Sequence, residues 1–592
     1  MVNLKQALAA DISAGIAAAQ KAGELDIKKL PFDKAQGKPK VAVEHQEQDG
    51  LGDYASPIAL QLAPLLTQGK PIRQAQGKPP LEIVEIIVKH MPKKEYIGKM
   101  EAAAPGFLNI WISPVWLGAR VDDVIEQDLF LETNVGQGKL VNLEFISANP
   151  TGPLTLGNAR TAFSADTLAN ALHAVGYNVT REYYINDAGG QVRRLGESVM
   201  RRILQQQPFD KAQSKGKEVD FPDDLYQGEY VKDIAQVVAE RWRETEGQKF
   251  EVSDLENEKV MTKVSEEAMQ LCLAAIKKTI AEDLHMTFDV WTSEQAIRQN
   301  GIIEACLARL RQKELTYKKG GAEYLKTTQF GDSEDRVLVK KDGEYAYIAP
   351  DIGYHQNKYD REFDLIFTFL GADHQGHVPK LKAAMQALGN DPAKLHFPIA
   401  QWLALIREGK PVKLSKRKGE VYGPQELIKE IGYDAARYFM VRHNLSSHME
   451  LDLSLAAERS ERNPVYYVQY AYVRLQSILR KAKEQGFIAE VNGLPRTEAP
   501  VTVEDVSTAD LLKTMYRLPE VLTDIGRTFE VHKLAFYAYD LARVTHGFYN
   551  AVPVLNADNK FEVMNRLRLV FAARKVLGET LDLLGVDKPE VM

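Results

Sequence analysis

An α/β fold with a long helical C-terminal part follows from three features of the 592-residue sequence. The first is an apolar run, Leu140-Val141-Asn142-Leu143-Glu144-Phe145-Ile146, which reads as a buried strand. Pro150, Gly152 and Pro153 break it into a loop. Leu156, Phe163, Leu168, Leu172 and Val175 then recur at helical spacing until Gly176 supplies a stop. The second feature is another apolar run, Leu365-Ile366-Phe367-Thr368-Phe369-Leu370. It leads into Gly371-Ala372-Asp373-His374-Gln375-Gly376-His377 at a strand's carboxyl end, where open α/β sheets hold ligands. The third is residues 453–592, which carry Leu, Val and Tyr at helical spacing almost throughout.

Taken in order, residues 1–112 mix helical patterns with short strands and end at Gly106-Phe107-Leu108-Asn109-Ile110-Trp111-Ile112. Residues 113–138 connect this part to the next. Residues 139–452 carry the α/β pattern, interrupted over about 192–290 by a mainly helical insertion rich in Glu, Lys and Gln. Residues 453–592 form the helical part; Asn463 is placed to cap its opening helix, with Pro464 in the first turn. Three related polar segments, around residues 31–39, 73–79 and 208–215, are too short and irregularly spaced to stack as a solenoid. They read as inserted surface loops, with RNA contact as the alternative.

Hydrophobic residues make up 45% and charged residues 26%, the balance of a soluble globular chain. The net charge of −6 does not advertise a nucleic acid partner, although a local basic face is enough for RNA. Residues 1–19 are amphipathic without a long apolar core, so no signal peptide is expected. No apolar run approaches a membrane span. Cys272 and Cys306 have no metal spacing and suit a reducing cytosol.

The loop of the first feature, Asn149-Pro150-Thr151-Gly152-Pro153-Leu154-Thr155-Leu156-Gly157-Asn158-Ala159-Arg160, places Gly157 at a helix entrance. Free N–H groups and the positive end of the dipole suit a phosphate there, and glycine allows close approach to the backbone. About 255 residues later, Lys413-Leu414-Ser415-Lys416-Arg417-Lys418-Gly419 crowds cations into a segment preceded by Gly409 and Pro411. Preorganised ammonium groups stabilise the charge that develops on a leaving pyrophosphate. Alone, each segment has a plain reading: an ordinary strand–helix connection and a solvated basic loop.

In this order and separation, the two segments resemble the ATP-binding signatures of class I aminoacyl-tRNA synthetases. Residues 144–153 resemble the arginyl-tRNA synthetase family specifically. So do Tyr183-Tyr184-Ile185-Asn186-Asp187-Ala188-Gly189, Asp351-Ile352-Gly353-Tyr354-His355, Gly371 through His377, and Asp434-Ala435-Ala436-Arg437-Tyr438-Phe439. The likeness runs from about Gly52 to Met592. It implies a Rossmann-like nucleotide-binding catalytic domain with a helical insertion, an N-terminal α/β domain that touches tRNA, and a C-terminal all-α anticodon-binding domain.

The same resemblance implies an arginine–tRNA ligase that makes arginyl-adenylate from ATP and L-arginine and loads tRNA-Arg. It places Thr155, Gly157, Asn158, Lys413 and Lys416 in catalysis, and Pro153, Asp373, His374 and Ser415 beside them at ATP. It places Glu144, Ser147, Asn149, Tyr347, Asp351 and Gln375 at arginine. A guanidinium is planar, always charged and carries five donors, so coplanar carboxylates and an aromatic face suit it. Apart from the family, Asp351 after Pro350 reads as a helix cap. Tyr466, Tyr470, Arg474, Arg543 and Met592 are candidate RNA contacts, because splayed bases stack on aromatic and guanidinium planes; for any single tyrosine, packing in a helical core is the alternative. Mg²⁺ is expected to arrive with ATP, no protein-bound metal is expected at His374 and His377, and the expected state is a cytoplasmic monomer.

One departure stands out. The family's first signature usually carries two histidines where this chain has Thr155 and Asn158. The hydroxyl and the amide still offer hydrogen bonds, but neither carries charge. Two readings follow: a working variant, supported by the intact lysine segment, or an impaired relative that binds tRNA without charging it. A class I synthetase for another amino acid is the third.

Overall fold

The computed structural model describes residues 3–25, 32–33, 38–39, 41–46, 50–67, 78–126, 134–206, 219–247, 249–412, 422–491, 500–557 and 559–592. Lys413, Ser415 and Lys416 lie outside the described residues, as do most of the three related polar segments.

The chain opens with α1 (Leu4–Lys21), whose N-terminus is capped by Asn3 accepting from the Gln6 N–H at 3.0 Å. Leu4, Leu8, Ile12 and Ile16 repeat every four residues and form its buried face, which packs on α3 (Pro80–His90). Helices α2 (Ile58–Thr67) and α3 lie against an antiparallel sheet ordered β1 (Glu44–His45), β2 (Tyr54–Ser56), β4 (Phe107–Ile112), β3 (Ile97–Ala103).

The centre of the molecule is a five-stranded parallel sheet. Its strands are β5 (Leu140–Glu144), β6 (Asn178–Ile185), β7 (Val290–Ser293), β8 (Leu365–Thr368) and β9 (Leu395–His396), in the order β9-β8-β5-β6-β7. From β5 the chain moves outward through β6 and β7, then returns to build β8 and β9 on the other side. The order therefore reverses between β5 and β8, and their carboxyl ends open the crevice where α/β sheets bind ligands. In register, Glu144 on β5 lies opposite Thr368 on β8 and Glu182 on β6. Helix α4 (Leu156–Ala174) follows β5 and is buried along most of its length.

Both apolar runs behave as strands, but each stops early. The first ends at Glu144 because Ile146 and Ser147 take left-handed backbone angles, φ 65° and 38°. The second leaves the main sheet after Thr368, and Leu370–Gly371 pairs instead with Ile399–Ala400.

Between β6 and β7 the described residues of the insertion form three α-helices, α5 (Gly190–Gln206), α6 (Glu229–Glu246) and α7 (Glu258–Lys278). They share a core of Leu195, Val199, Val231, Val238, Val264 and Ala268. Gly196 is required where α5 meets α7: a Cβ there would lie 1.9 Å from Ser265 Oγ. Helix α8 (Glu294–Gln299) continues β7 and α9 (Ile348–Asp360) precedes β8. Beyond the main sheet come β10 (Leu403–Arg407), α10 (Pro424–Ile431), α11 (Tyr433–Arg442) and β11 (Met449–Asp452), with β10 and β11 paired in parallel.

The C-terminal part is helical: α12 (Pro464–Glu484), α13 (Val506–Met515), α14 (Leu518–Thr528), α15 (His532–Ala551) and α16 (Lys560–Leu584). Asn463 caps α12 as expected, accepting from the Val465 N–H at 3.2 Å. Two of the polar joints that fix this part centre on the buried Glu520 and Arg437. Glu520 on α14, 3% exposed, accepts from Tyr54 Oη at 2.8 Å and Lys5 N at 2.9 Å, with His45 Nε2 at 2.6 Å. The second joint explains the Asp434-to-Phe439 segment. The buried Arg437 guanidinium donates to Asp166 Oδ2 on α4 at 2.6 Å and to the Leu584 carbonyl at the end of α16. Gly585, at φ 68°, lies flat against that guanidinium, where a Cβ would come within 2.3 Å. Asp434 accepts from the Asp587 N–H at 2.9 Å. A cation at a helix C-terminus meets both the unpaired carbonyls and the negative end of the dipole.

Candidate active site

The loop after β5 is strained at its start. Ile146 is β-branched, and its left-handed φ costs on the order of 1–3 kcal/mol. Ser147 holds the turn from both sides: its Oγ donates to Glu144 Oε1 at 2.9 Å and accepts from the Tyr184 N–H at 3.1 Å. From the insertion, Tyr230 Oη donates to the Thr151 carbonyl at 2.8 Å.

The two residues that replace the usual histidines bind each other. Thr155 is the N-cap of α4, and its Oγ1 accepts from the Asn158 N–H at 3.3 Å and donates to Asn158 Oδ1 at 2.8 Å. Asn158 Oδ1 also accepts from the Thr155 N–H at 2.9 Å. This is a reciprocal capping box built from the signature itself. It leaves Asn158 Nδ2 without a partner among the described residues. Gly157 is exposed, and among the described residues a Cβ there would meet only Thr155 Oγ1, at 3.6 Å. The first turn of α4 thus offers N–H groups and an amide over an unobstructed glycine. Thr155→Ala removes half of the cap and is expected to cost about 1 kcal/mol, while Thr155→Ser retains it. Equal denaturant midpoints for all three proteins would show that the box does not hold the helix start.

One end of the lysine segment is held on β10, and the other reaches this loop. On the near side, Val412 N donates to the Leu405 carbonyl at 2.8 Å, closing the segment's first anchor on β10. On the far side, Gly423 packs so closely on the signature that a Cβ would lie 2.7 Å from the Leu154 carbonyl oxygen. Arg160, fully buried on α4, ties the two regions. Nη1 donates to the Gln401 carbonyl at 2.6 Å, and Nη2 to those of Asn444 and Ser447 at 3.0 and 2.7 Å. Burial lowers its pKa to about 10, so it stays cationic at neutral pH.

Beside this, at the carboxyl ends of β5 and β6, carboxylates crowd around Tyr184. Burial, and then the charges of Glu294, Asp351 and Glu144, push its hydroxyl well above the ordinary phenol range. Its ring stacks on Tyr354, centroids 4.2 Å apart. Burial also raises the pKa of Glu294 above 4.5, with Arg298 opposing and Asp351 adding to the rise. The Asn186 amide, oriented by its neighbours, donates to Glu294 Oε2 at 2.9 Å and lies 3.0 Å from the Asn149 side chain. Asp351 is not a helix cap. Helix α9 begins at Ile348, and the Asp351 carboxylate pairs with His377 Nε2 at 3.0 Å. Tyr347 is 71% exposed and meets the His377 ring edge-on.

Glu144 is placed at the cluster but is already engaged. Oε2 accepts from the fully buried Lys358 at 2.6 Å and from Thr368 Oγ1 at 3.0 Å. Thus Glu144, Ser147, Asn149, Tyr347 and Asp351 are brought together. Asp373, His374 and Gln375 are exposed on a 3₁₀ turn over Ala372–His377, which His377 ties to Asp351. Sequence reading missed Lys358 and Glu294, which sit in ordinary helical patterns. It also gave Tyr184 and Asn186 no role, although the segment around them was conspicuous.

On the helical part, Tyr466 and Tyr470 stack with centroids 6.0 Å apart. The Arg474 guanidinium lies 4.4 Å from the Tyr470 ring and 4.8 Å from that of Tyr549. Arg543 is exposed on α15, and Met592 is 42% exposed.

Three family profiles match the chain in series. They are described as the arginyl tRNA synthetase N terminal domain over residues 6–112, the catalytic domain of tRNA synthetases class I (R) over 120–457, and the DALR anticodon binding domain over 468–592. The arginine–tRNA ligase of Bacillus pumilus is 38% identical over 591 residues, spanning 100% of this chain and 99% of its own. That of Bacillus subtilis is 39% identical over 557 residues, 94% of this chain and 95% of its own. The arginyl-tRNA synthetase of Thermus thermophilus superposes with a TM-score of 0.74 over 100% of both chains, at 20% identity.

Proposed function

The chain belongs to the arginyl-tRNA synthetase family, and on that premise we propose how its site performs the reaction. The protein is an arginine–tRNA ligase of translation, a class I aminoacyl-tRNA synthetase that uses ATP. In the first step a carboxylate oxygen of L-arginine attacks the α-phosphorus of ATP, and pyrophosphate leaves. In the second, a terminal ribose hydroxyl of tRNA-Arg attacks the arginyl carbonyl, and AMP leaves.

The observation that carries the assignment is that Asp351, paired with His377, and Glu294, bonded to Asn186 beside Asn149, gather with Glu144 about Tyr184 at the carboxyl ends of the strands. Beyond their partners His377 and Arg298, Asp351 and Glu294 keep acceptor lone pairs, and a guanidinium answers carboxylates with donors in a plane. Asp351 and Glu294 receive the guanidinium, Glu144 forms the floor under Lys358, and Tyr347 covers one face. Asn149, with Ser147 and Gln375, takes the α-amino and carboxylate end. Pro153, Thr155, Gly157, Asn158, Asp373 and His374 line the nucleotide side. Lys413, Ser415 and Lys416 close on its phosphates, where ammonium groups stabilise charge on the departing pyrophosphate. Positioning supplies most of the remainder. Mg²⁺ travels with ATP as part of the substrate.

Residues 1–112 and 453–592 flank the catalytic residues 139–452. Tyr466, Tyr470, Arg474, Arg543 and Met592 meet tRNA on the C-terminal side. The protein acts as a monomer in the cytoplasm; among the described residues no helix is long and apolar enough to cross a membrane. Charging assays across amino acids test the assignment. Arginine is loaded and lysine and citrulline are not; preferential loading of lysine would refute it, and no loading of any amino acid would favour an impaired tRNA-binding relative.

Glu294 gives a pH signature. Arginine favours its charged form, and burial favours its neutral form in the free enzyme. As pH falls toward the raised pKa, above 4.5, free enzyme takes up a proton that arginine must expel. The KM for arginine therefore rises on acidification. Glu294→Gln is expected to raise that KM about tenfold at neutral pH and to remove this part of its pH dependence. A variant with the wild-type profile would exclude Glu294 from the site.

A further inference from the structure

One face of α15 carries Phe536, Tyr539, Arg543, His546 and Tyr549 at helical spacing. Toward its C-terminal end lies the cluster of Tyr466, Tyr470 and Arg474. At its N-terminal end, about 20 Å away along the helix axis, is a second group that the function has not used. Phe536 is 47% exposed. The Arg442 guanidinium, at the end of α11 in the nucleotide-binding part, lies 5.7 Å from the ring centroids of both Phe536 and Tyr539. His532 stands edge-on to Phe536 at 5.9 Å. Tyr467 bridges the two groups, 5.1 Å from Tyr539 and 4.4 Å from His546.

The charge on this ledge is unmatched. Among the described residues neither Arg442 nor Arg543 has a carboxylate within ion-pairing distance, and Asp540 on the same helix faces Arg517 at 3.9 Å. Burial favours the neutral form of His532, so the cation there is Arg442. A lone exposed phenylalanine is ordinary. An exposed ring held beside an unpaired guanidinium, in line with a second such pair, suits a chain of bases and phosphates.

We propose that Phe536 and Arg442 form a second stacking position for tRNA, at the seam between the nucleotide-binding and helical parts, where an unpaired base lies on Phe536 and Arg442 meets the adjoining phosphate. This rests on the tRNA-charging function. It extends the RNA contact from the far end of α15 to a residue outside the helical part.

The test is the dissociation constant of the full-length protein for tRNA-Arg at several salt concentrations. Phe536→Ala is expected to weaken binding about tenfold and Phe536→Tyr by less than about twofold, since every aromatic ring offers a stacking face. Arg442→Gln is expected to weaken binding and to flatten the log–log salt slope by about one. Wild-type affinity and slope in both Phe536→Ala and Arg442→Gln would overturn the proposal. If the wild-type protein charges tRNA with arginine in the same experiment, the ledge alone has failed and the enzyme assignment stands. Failure of the wild-type protein to bind or charge tRNA would instead remove the assignment on which the ledge rests. Thermal midpoints of the exposed-site variants separate lost contact from lost folding.

Discussion

Replacing Asp351 by Ala raises the KM for arginine by about 10³-fold and leaves the KM for ATP within a few-fold of wild type. The size follows from the asymmetry of polar recognition. A site built for a guanidinium keeps its other polar groups when one carboxylate is removed, and those groups are then left unpaired against the ligand. Truncating one partner of a desolvated charge pair costs roughly 2–5 kcal/mol, and 10³-fold corresponds to about 4 kcal/mol. The selectivity for arginine over ATP follows from placement. Asp351 belongs to the group around Tyr184, whereas α4 and its loop form most of the nucleotide side; through His377 it also steadies the turn that carries Asp373 and His374, which accounts for the few-fold change left to ATP. Equal increases in both KM values would show that Asp351 supports the whole cleft rather than the amino acid. Asp351→Asn separates shape from charge: it keeps the volume and should still lose most of the arginine affinity.

The second large effect is expected at Gly423, which packs on the signature loop at Leu154. Its φ of −107° and ψ of −167° are open to any residue, so alanine there meets no backbone penalty. The obstacle is space. The new Cβ would lie 2.7 Å from the Leu154 carbonyl oxygen and 3.3 Å from Glu426 Oε2. Either the signature loop or the end of the lysine segment must move by several tenths of an ångström. Misplacement of about 1 Å in a positioned site costs on the order of 10²-fold in rate. Gly423→Ala is therefore expected to slow adenylate formation about 10²-fold with little change in tRNA affinity. Adenylate formation at the wild-type rate would mean that the two segments do not depend on their contact.

The local grammar of the chain was legible before the fold was seen. The strand–loop–helix at residues 140–175, the Asn463 cap and the helical C-terminal part all rest on periodicity and turn chemistry within short windows. What escaped was non-local. Lys358 sits in an unremarkable helical stretch, and only folding brings it to Glu144, 214 residues away in sequence. Glu294 opens a short helix like any acidic residue in a first turn, and joins the candidate site because β7 delivers it beside Tyr184. Arg437 was conspicuous in sequence, yet its meaning depends on the end of a helix 147 residues later. The plain reading of Asp351 as a cap failed because α9 starts three residues earlier, at Ile348. Thr155 and Asn158 were recognised as substitutes for histidine. Their mutual capping bonds required coordinates, since the same pair at another loop geometry would face the ligand instead.

The proposed mechanism needs two segments to close around one triphosphate while a carboxylate cluster holds arginine beside it. ATP–pyrophosphate exchange, with and without tRNA-Arg, measures that most directly. Wild-type protein is expected to exchange label only when arginine is present, and Lys416→Ala to slow exchange about 10²-fold while tRNA affinity is kept. No exchange with arginine, ATP and tRNA together, or an unchanged rate in Lys416→Ala, would contradict it.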